Sequence, residues 1–345
     1  MKVNKLFTIS MLLTMGTLLV GCGEGKSENA DNSKIDELNV MFVPTKNPDD
    51  ITAATKPLTG LLQEELKKEG IEVDKVNVNV GTNFEAVGEA LSTGTADVGY
   101  GVPGGTYALY HDETDVILTA TRAGLNKDSE NAKDWNDGKP TEKTDAQAMS
   151  YRSLLVAGPS EKGKELAKKV NAGEKLTWND LSTAKWGLAS TTSSAGYIYP
   201  SLWLNENVGK NISDLKSTVQ NDSYGSGFAR LASGQIDVMP VYADARGDFS
   251  EAWSKEYGKN DVWKETNIIG VTPAIYNDAI LVSKNSKQID NKVKGALQNA
   301  LINMSKTDEG KKVIAVYSHD GYEKATNDDY ASEMKAQELI KKSAN

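Results

Sequence analysis

One short unit recurs along the chain and limits the folds that are open to it. Residues 90–98 (ALSTGTADV) align with residues 230–238 (RLASGQIDV), 140 positions further on. In each copy a helical pattern ends at a glycine, the residue that most often closes a helix in the left-handed conformation. An aspartate and an apolar strand follow. The repeat predicts two lobes built alike, with Asp97 and Asp237 as turn residues at the starts of strands.

Strand and helix patterns alternate through the rest of the chain. Apolar or alternating runs predict strands at 38–43, 73–80, 96–100, 154–157, 186–190, 238–242, 268–271 and 279–282. Apolar residues at helical spacing predict helices over 53–68, over 84–91, from 289 onward and over 329–342. This alternation is typical of an α/β fold with mainly parallel sheets flanked by helices. The polar segment 125–148 is predicted to be a surface excursion.

Length and charge exclude several classes of protein. A chain of 345 residues has room for about two packed domains. Its 48 acidic residues outnumber 39 basic ones, so the net charge of −9 disfavours nucleic acid as a partner. One cysteine and two distant histidines, His111 and His319, match no metal-binding spacing. We therefore expect neither a metal nor a cofactor.

The N-terminus has the pattern of an export signal. Lys2 and Lys5 precede 15 mostly apolar residues, Leu6 to Val20, which are too few to span a bilayer as a helix. The following Leu19-Val20-Gly21-Cys22 resembles a bacterial lipobox, which implies cleavage before Cys22 and lipidation, for example with palmitate, at that residue. The alternative is an ordinary secretory signal with an incidental cysteine. Residues 1–21 are thus predicted to be a signal peptide and 22–37 a flexible tether.

A run of hydroxyl residues is the strongest candidate for a binding site. In residues 189–200 (ASTTSSAGYIYP) five consecutive serines and threonines lie between an apolar strand and an amphipathic segment. The first N–H groups of a helix have no intrahelical partner and carry partial positive charge. Together with the hydroxyls they predict an oxyanion site that needs no Lys or Arg. The alternative is a simple helix cap with surface hydroxyls.

This run resembles the S-T-S-G-Y/F…P segment of the phosphonate- and phosphite-binding proteins of ABC importers. The similarity continues at Phe42-Val43-Pro44, at Asn47-Pro48, at Pro57-Leu58, at 97–107 (DVGYGVPGGTY), at Tyr151-Arg152-Ser153 and at 234–238 (GQIDV). The chain departs from the family at 224–229 (YGSGFA), where a histidine is common; Tyr224 or Ser226 is expected to stand in for it.

The resemblance implies a two-lobed fold like that of type II periplasmic binding proteins. Lobe 1 would comprise 38–122 and 273–345 and lobe 2 would comprise 123–272, with two crossing segments and the ligand between the lobes. The implied ligand contacts are Thr191, Thr192, Ser193, Ser194, the N–H groups of Ala195 and Gly196, and Ser153, with Tyr107, Tyr197 and Tyr242 as walls of the cleft. Asp244 would suit an aminoalkyl group. The alternatives are core positions for the tyrosines and a solvated pair with Arg246 for Asp244.

These features predict a binding protein rather than an enzyme. We expect a lipid-anchored monomer on the extracytoplasmic face of a cell membrane, at a Gram-positive surface, that delivers a phosphorus oxyanion to an ABC permease and its ATPase. The same fold with a sulfonate, a nucleoside or a vitamin precursor is the alternative. An extracellular hydrolase is disfavoured, since the chain has no GxSxG or HExxH motif.

Overall fold

The computed structural model of the chain describes residues 33–44, 48–189, 191 and 193–343. The predicted signal peptide, Cys22, most of the predicted tether and Thr192 lie outside the described residues. The described residues all belong to one compact unit. Among them, no helix is both long enough and apolar enough to cross a membrane.

The strands of the described residues form two large sheets and one short pair. In chain order they are β1 Lys34–Phe42, β2 Glu72–Val80, β3 Val98–Val102, β4 Thr114–Leu125, β5 Lys143–Ala148, β6 Ser150–Tyr151, β7 Ser153–Ala157, β8 Trp186–Leu188, β9 Thr218–Gln220, β10 Val238–Tyr242, β11 Asn267–Val271, β12 Ile275–Tyr276, β13 Ala279–Ser283 and β14 Gly321–Lys324.

The helices flank these sheets. They are α1 Pro48–Thr55, α2 Leu58–Lys68, α3 Phe84–Thr93, α4 Gly104–Tyr110, α5 Glu161–Asn171, α6 Trp178–Ser182, α7 Tyr199–Val208, α8 Tyr224–Ser233, α9 Ala245–Asp248, α10 Ser250–Lys255, α11 Val262–Glu265, α12 Asn291–Met304, α13 Asp308–Ile314 and α14 Ala331–Ser343. Short 3₁₀ turns occur at Ala132–Trp135, Ile212–Asp214, Ala315–Tyr317 and Asn327–Tyr330, and a single π turn at Ser194–Ile198.

Each large sheet is the centre of one lobe. The first, in the order β14-β4-β13-β3-β1-β2 with β5 beside β4, forms lobe 1; the second, β11-β7-β10-β8-β9, forms lobe 2. The prediction of mainly parallel sheets is wrong. β1 pairs in parallel with β2 and β3, and β8 with β9 and β10, but β4, β7, β11, β13 and β14 make antiparallel pairs. An antiparallel pair does not need the helical crossover that a parallel pair requires, so alternation of strands and helices alone does not fix strand direction.

Among the element boundaries that differ from the predictions, two change how the chain is divided. β1 begins at Lys34, four residues early, and its Ile35 is fully buried, so 34–37 belong to the sheet rather than to the tether. The helix predicted over 53–68 is two helices, because Pro57, at the N-cap of α2, has no N–H to donate to the preceding turn.

The repeated helix–glycine–aspartate unit is present in both lobes. α3 ends at Gly94 (φ 73°) and α8 ends at Gly234 (φ 74°), both in the left-handed region that favours glycine. The predicted cap positions are therefore confirmed, and each leads directly into the strand of the repeat, β3 or β10.

The two aspartates of the repeat tie neighbouring parallel strands together. Asn39 N donates to Asp97 Oδ2 (2.7 Å), and Asp97 N donates back to Asn39 O (2.9 Å). In lobe 2, Lys185 N donates to Asp237 Oδ2 (2.8 Å) and Asp237 N donates to Lys185 O (2.8 Å). Each carboxylate also accepts a serine hydroxyl, from Ser286 (2.5 Å) or Ser160 (2.6 Å) respectively. The structural role predicted for both residues is confirmed.

The segment 125–148 is more ordered than a surface excursion. β5, predicted to belong to lobe 2, pairs with β4 of the first sheet. Trp135 is fully buried in the core of lobe 2, and its Nε1 donates to Ser129 O (2.9 Å). A single tryptophan among polar neighbours has no periodicity that would reveal its burial.

The chain passes between the lobes twice. The two passages meet where β6 pairs antiparallel with β12. Asn277 joins them further, because its Nδ2 donates to both Ala120 O and Ala148 O at 3.0 Å. The carboxyl end of β10 and the amino end of β7 also lie at this passage, because Tyr242 is paired with Ser153. The fold thus brings segments distant in sequence to one place between the sheets.

We expect Asp97→Ala and Asp237→Ala each to lower the free energy of unfolding by roughly 2–3 kcal/mol, because each leaves two donors in a buried region without their charged acceptor. Urea unfolding followed by circular dichroism measures the effect. Asp222→Ala, at an exposed position, is the matched control and should change little. Equal effects at all three positions would contradict the role assigned to the repeat.

Candidate ligand-binding site

A cavity of about 1030 Å³ lies between the two lobes. Both passages and both lobes contribute to its wall, which includes Arg122, Tyr151, Ser194, Tyr224, Tyr242 and Asn277. A volume of this order is sufficient for a small organic ligand. The predicted hydroxyl run reaches the cavity at Ser193, Ser194 and Ala195.

The wall at Ser193–Ile198 is a π turn that leads into α7. Ser193 O accepts from both Tyr197 N and Ile198 N at 3.0 Å, and Ser193 Oγ accepts from Gly196 N (3.1 Å). The Gly196 N–H, expected to face a ligand, is therefore used inside the turn. Wide turns of this kind occur frequently at functional sites.

Gly196 is required by close packing inside the turn. A Cβ at this position would overlap with the Ala189 methyl group and lie 2.9 Å from Ser193 Oγ. Ala189 is itself tied to the turn, because its N–H donates to Gly196 O (3.3 Å). The glycine thus lets the end of the preceding strand and the turn approach each other, rather than letting a ligand approach the backbone.

Ser153 holds this turn from behind. Its side chain is fully buried and its Oγ donates to Ala195 O (2.6 Å), while its N–H donates to Thr272 Oγ1 (3.0 Å). Ser153 is not part of the cavity wall. Its hydroxyl is already donated within the fold, so Ser153 positions the turn in this structure, and a contact with a ligand stays a prediction.

Tyr224 and Tyr242 form an aromatic part of the wall. Their rings meet edge to face with centroids 5.2 Å apart. The Tyr224 hydroxyl lies 3.3 Å from Ser193 Oγ, and Tyr242 donates to Asp248 Oδ2 (2.7 Å). Burial raises the pKa of both tyrosines, and the Asp248 carboxylate raises that of Tyr242 further, so both stay neutral at physiological pH.

Two other predicted wall residues lie elsewhere. Tyr107 is buried in the core of lobe 1, where its ring meets Tyr330 at 5.5 Å, and burial with nearby carboxylates raises its pKa to about 12. Tyr197 packs against the second core cluster of lobe 2, which includes Leu155, Trp186 and Leu204. Neither residue lines the cavity. For both, the core interpretation is the correct one.

Asp244 lines the cavity but its carboxylate is committed to the protein. Arg246 donates to it through Nη2 (2.7 Å) and Nε (3.0 Å), and Thr141 Oγ1 donates a further bond (2.9 Å). The pair is buried rather than solvated, since both side chains are at most 1% exposed. Arg246 also lies over the Trp263 ring, with its Cζ 4.8 Å from the ring centroid. An aminoalkyl group would have to compete with these donors.

Two further predicted positions, Ser226 and Thr191, do not line the cavity. Ser226 closes the first turn of α8, where its Oγ donates to Ser223 O (2.9 Å), and it does not line the cavity. Thr191 is exposed, and Thr192 lies outside the described residues. Within the described residues, no group of three or more His, Cys, Asp and Glu side chains is placed to hold a metal ion.

Basic side chains, which the prediction left out, also reach the cavity. Arg122, Lys127, Lys143 and Arg152 are all part of its wall. Arg152 is partly neutralised by Asp128 (2.7 Å) and Glu130 (3.4 Å), and Lys127 by Asp137 (2.6 Å). Arg152 belongs to the Tyr151-Arg152-Ser153 motif, but it lines the cavity only because the two passages meet there, which the sequence does not show.

Comparison with known proteins identifies the family. Residues 40–330 match the family described as the periplasmic substrate-binding protein of a phosphonate ABC transporter. This chain belongs to that family. The resemblance predicted from the hydroxyl run and the repeated unit is thereby confirmed, and the family consists of transporter binding proteins. A search of curated proteins gives no match.

Solved structures with the same fold are distant in sequence. The Mycoplasma hyorhinis protein Mh-p37, described as a candidate thiamine pyrophosphate transporter, is 14% identical with a TM-score of 0.58, over 88% of this chain and 98% of that one. A Xanthomonas citri protein bound to ATP is 12% identical with a TM-score of 0.56, over 89% and 98% of the chains. PhnD1 of Prochlorococcus marinus in complex with methylphosphonate is 16% identical with a TM-score of 0.50, over 89% and 99%. The fold is that of type II periplasmic binding proteins.

We expect Gly196→Ala to destabilise the protein by about 1–3 kcal/mol, because the new methyl group overlaps with that of Ala189 and forces the turn to move. Gly60→Ala is the matched control. It lies in α2 with open space around its Cβ, and should be neutral or stabilising by about 0.5–1 kcal/mol. Urea unfolding of both variants measures the difference; equal stability would contradict the packing described here.

Proposed function

We propose that this protein is a lipid-anchored, extracytoplasmic monomer that captures a phosphorus oxyanion between its lobes and delivers it to an ABC permease and ATPase. The membership of the family supports the transport role.

The observation that carries the ligand proposal is the Ser193–Ile198 turn in the wall of the cavity. It presents the Ser194 side chain, and the start of a helical segment carries partial positive charge. Arg122 and Arg152 add positive potential across the cavity. Hydroxyl and guanidinium donors together suit the oxygens of a phosphonate, phosphite or phosphate ester.

A phosphate ester with a ring-bearing organic part is the second candidate. The cavity exceeds the size of a simple alkylphosphonate, and Tyr151, Tyr224 and Tyr242 supply aromatic surface to its wall. Aromatic side chains pack favourably on the faces or edges of other rings. The ATP and thiamine pyrophosphate named for the Xanthomonas and Mycoplasma proteins have this chemistry.

The contacts of Ser193, the candidate nucleophile, and of His319, the candidate base, favour a binding role over hydrolysis. Ser193 Oγ has the Tyr224 hydroxyl as its side-chain neighbour. His319 lines the cavity, but its ring nitrogens face Asp278 Oδ2 (3.1 Å) and Tyr322 OH (3.2 Å). Within the part of the chain that the structure describes, no serine is paired with this histidine, as nucleophilic catalysis requires.

The anchor proposal rests on the sequence around Cys22. The apolar segment, the Leu19-Val20-Gly21-Cys22 motif and the polar residues that follow give the order signal, lipid-bearing cysteine and tether. β1 begins at Lys34, so the first strand starts 12 positions after this cysteine in the sequence.

Ser194→Ala tests the ligand site. Loss of one charge-assisted hydrogen bond of about 1.5–3 kcal/mol should weaken methylphosphonate binding by about tenfold to a hundredfold. Isothermal titration measures the affinity, and circular dichroism checks that the variant is folded. Ser226→Ala, a serine outside the cavity wall, is the matched control. Unchanged affinity in the folded Ser194→Ala variant would place the ligand elsewhere.

Cys22→Ala tests the anchor. We expect the variant protein to lack lipid and to leave the membrane fraction, because a thiol is needed to receive the lipid. Fractionation and mass spectrometry of the purified protein measure both effects. Ser27→Ala, in the same polar segment, should remain lipidated. A membrane-bound Cys22→Ala variant, together with an unmodified cysteine in the parent protein, would contradict the proposal.

A further inference from the structure

A second, smaller cavity of about 80 Å³ adjoins the main one. Arg122, Tyr151, Ser194 and Asn277 line both, so the two spaces share a wall at the candidate oxyanion turn. The far side of the small cavity, which we call the side pocket, is closed by the start of α4 and by Glu333 of α14. A single oxygen or hydroxyl group of a ligand fits a space of this size.

Glu333 is the unusual group in the side pocket. The residue is only 3% exposed, and its Oε1 has no hydrogen-bond partner within the part of the chain that the structure describes. Burial raises the pKa of this carboxyl group above its ordinary value. Tyr199 and Gln337 contribute hydrogen bonds to this carboxyl group, and a buried oxygen that still lacks a partner costs free energy, which favours a partner from outside the protein.

Packing fixes where this carboxyl group lies. α14 contacts α4 of lobe 1 as well as α7 and the Ser194–Ile198 turn of lobe 2. Its Ala336 is fully buried against Ala195 and Ile198. At α4, a Cβ on Gly104 would lie 3.0 Å from Glu333 Cγ and 3.2 Å from its Oε2. The absence of a side chain at Gly104 thus leaves room for the carboxyl group beside the side pocket.

We propose that Glu333 shares one proton with an oxygen of the bound oxyanion and so selects phosphorus oxyacids over sulfonates. This inference rests on the proposed function. The complex would hold a single O–H···O bond between the Glu333 carboxyl group and the ligand, with the proton supplied by a P–OH group of the ligand. No bond to phosphorus forms or breaks.

The selectivity follows from the acidity of the ligands. The second proton of a phosphate monoester leaves near pH 6, so an appreciable fraction of such ligands brings a P–OH group to the site at neutral pH. A sulfonate carries no such proton, so Glu333 would have to take one from solution or face an anion unprotonated. Two bare anionic oxygens in a buried pocket repel each other strongly.

The change of phosphonate affinity with pH also depends on the other titratable groups around Glu333. Around the carboxyl group lie Tyr199 on α7, Tyr151 on β6, Tyr276 on β12, Tyr330, Asp278 and Arg122. Burial raises the pKa of Tyr151, Tyr199, Tyr276 and Tyr330, so these hydroxyls stay neutral over the range tested. As pH rises, the shared proton is lost and phosphonate affinity should fall.

Glu333→Gln tests this selectivity directly. The amide keeps the size of the side chain but donates an N–H to either anion. We expect the folded wild-type protein to prefer methylphosphonate over methanesulfonate by at least about tenfold, and Glu333→Gln to lower that preference by about tenfold, the effect of one hydrogen bond. Glu338→Gln, an exposed position on the same helix, should leave the preference unchanged. Isothermal titration with both probes measures it.

The outcomes separate the two proposals. A Glu333→Gln variant that keeps the wild-type preference within about twofold would overturn this inference while leaving the proposed function intact. If that variant does not fold, titration of the wild-type protein decides: a methylphosphonate affinity that does not fall between about pH 6 and pH 9 would overturn the inference. A wild-type protein that binds neither probe would overturn the proposed function, and this inference with it.

Discussion

The buried aspartate at the start of one strand in each lobe is the interaction on which the rest of the fold depends. Asp97 and Asp237 each accept an N–H from the neighbouring parallel strand and return one to its carbonyl, so they fix how the two strands align. A shift of one residue would turn every side chain of a strand to the opposite face. In lobe 2, β10 is also paired antiparallel with β7, so its end lies beside the start of β7, where Tyr242 and the cavity wall lie.

Several groups around the candidate site make their contacts within the protein rather than with a ligand. Ser153 sits behind the turn, Gly196 is packed inside it, and Arg246 and Thr141 donate to the Asp244 carboxylate. Each therefore serves the shape and charge of the cavity without facing it as a donor. Contacts of this kind hold a binding surface in place before a ligand arrives, which reduces the ordering cost of binding.

The sequence predicts what depends on local chemistry and misses what depends on the path of the chain. Gly94, Gly234 and the two aspartates follow from cap and turn preferences that act over a few residues. By contrast, whether Tyr107 or Tyr197 faces a cavity or a core depends on elements far away in the sequence. The same is true of Arg122 and Glu333, which reach one pocket only because two passages and the last helix meet there. The antiparallel strands escaped prediction for the same reason.

The last helix sets a mechanical limit on the molecule. Because α14 packs on α4 of one lobe and on the Ser194–Ile198 turn of the other, it cannot stay in place on both while the lobes separate. Separation of the lobes would require α14 to slide along its contact with α4 or along its contact with the turn, because packed helices slide by small steps more readily than they detach. The width of the cleft is therefore coupled to the packing of a single helix.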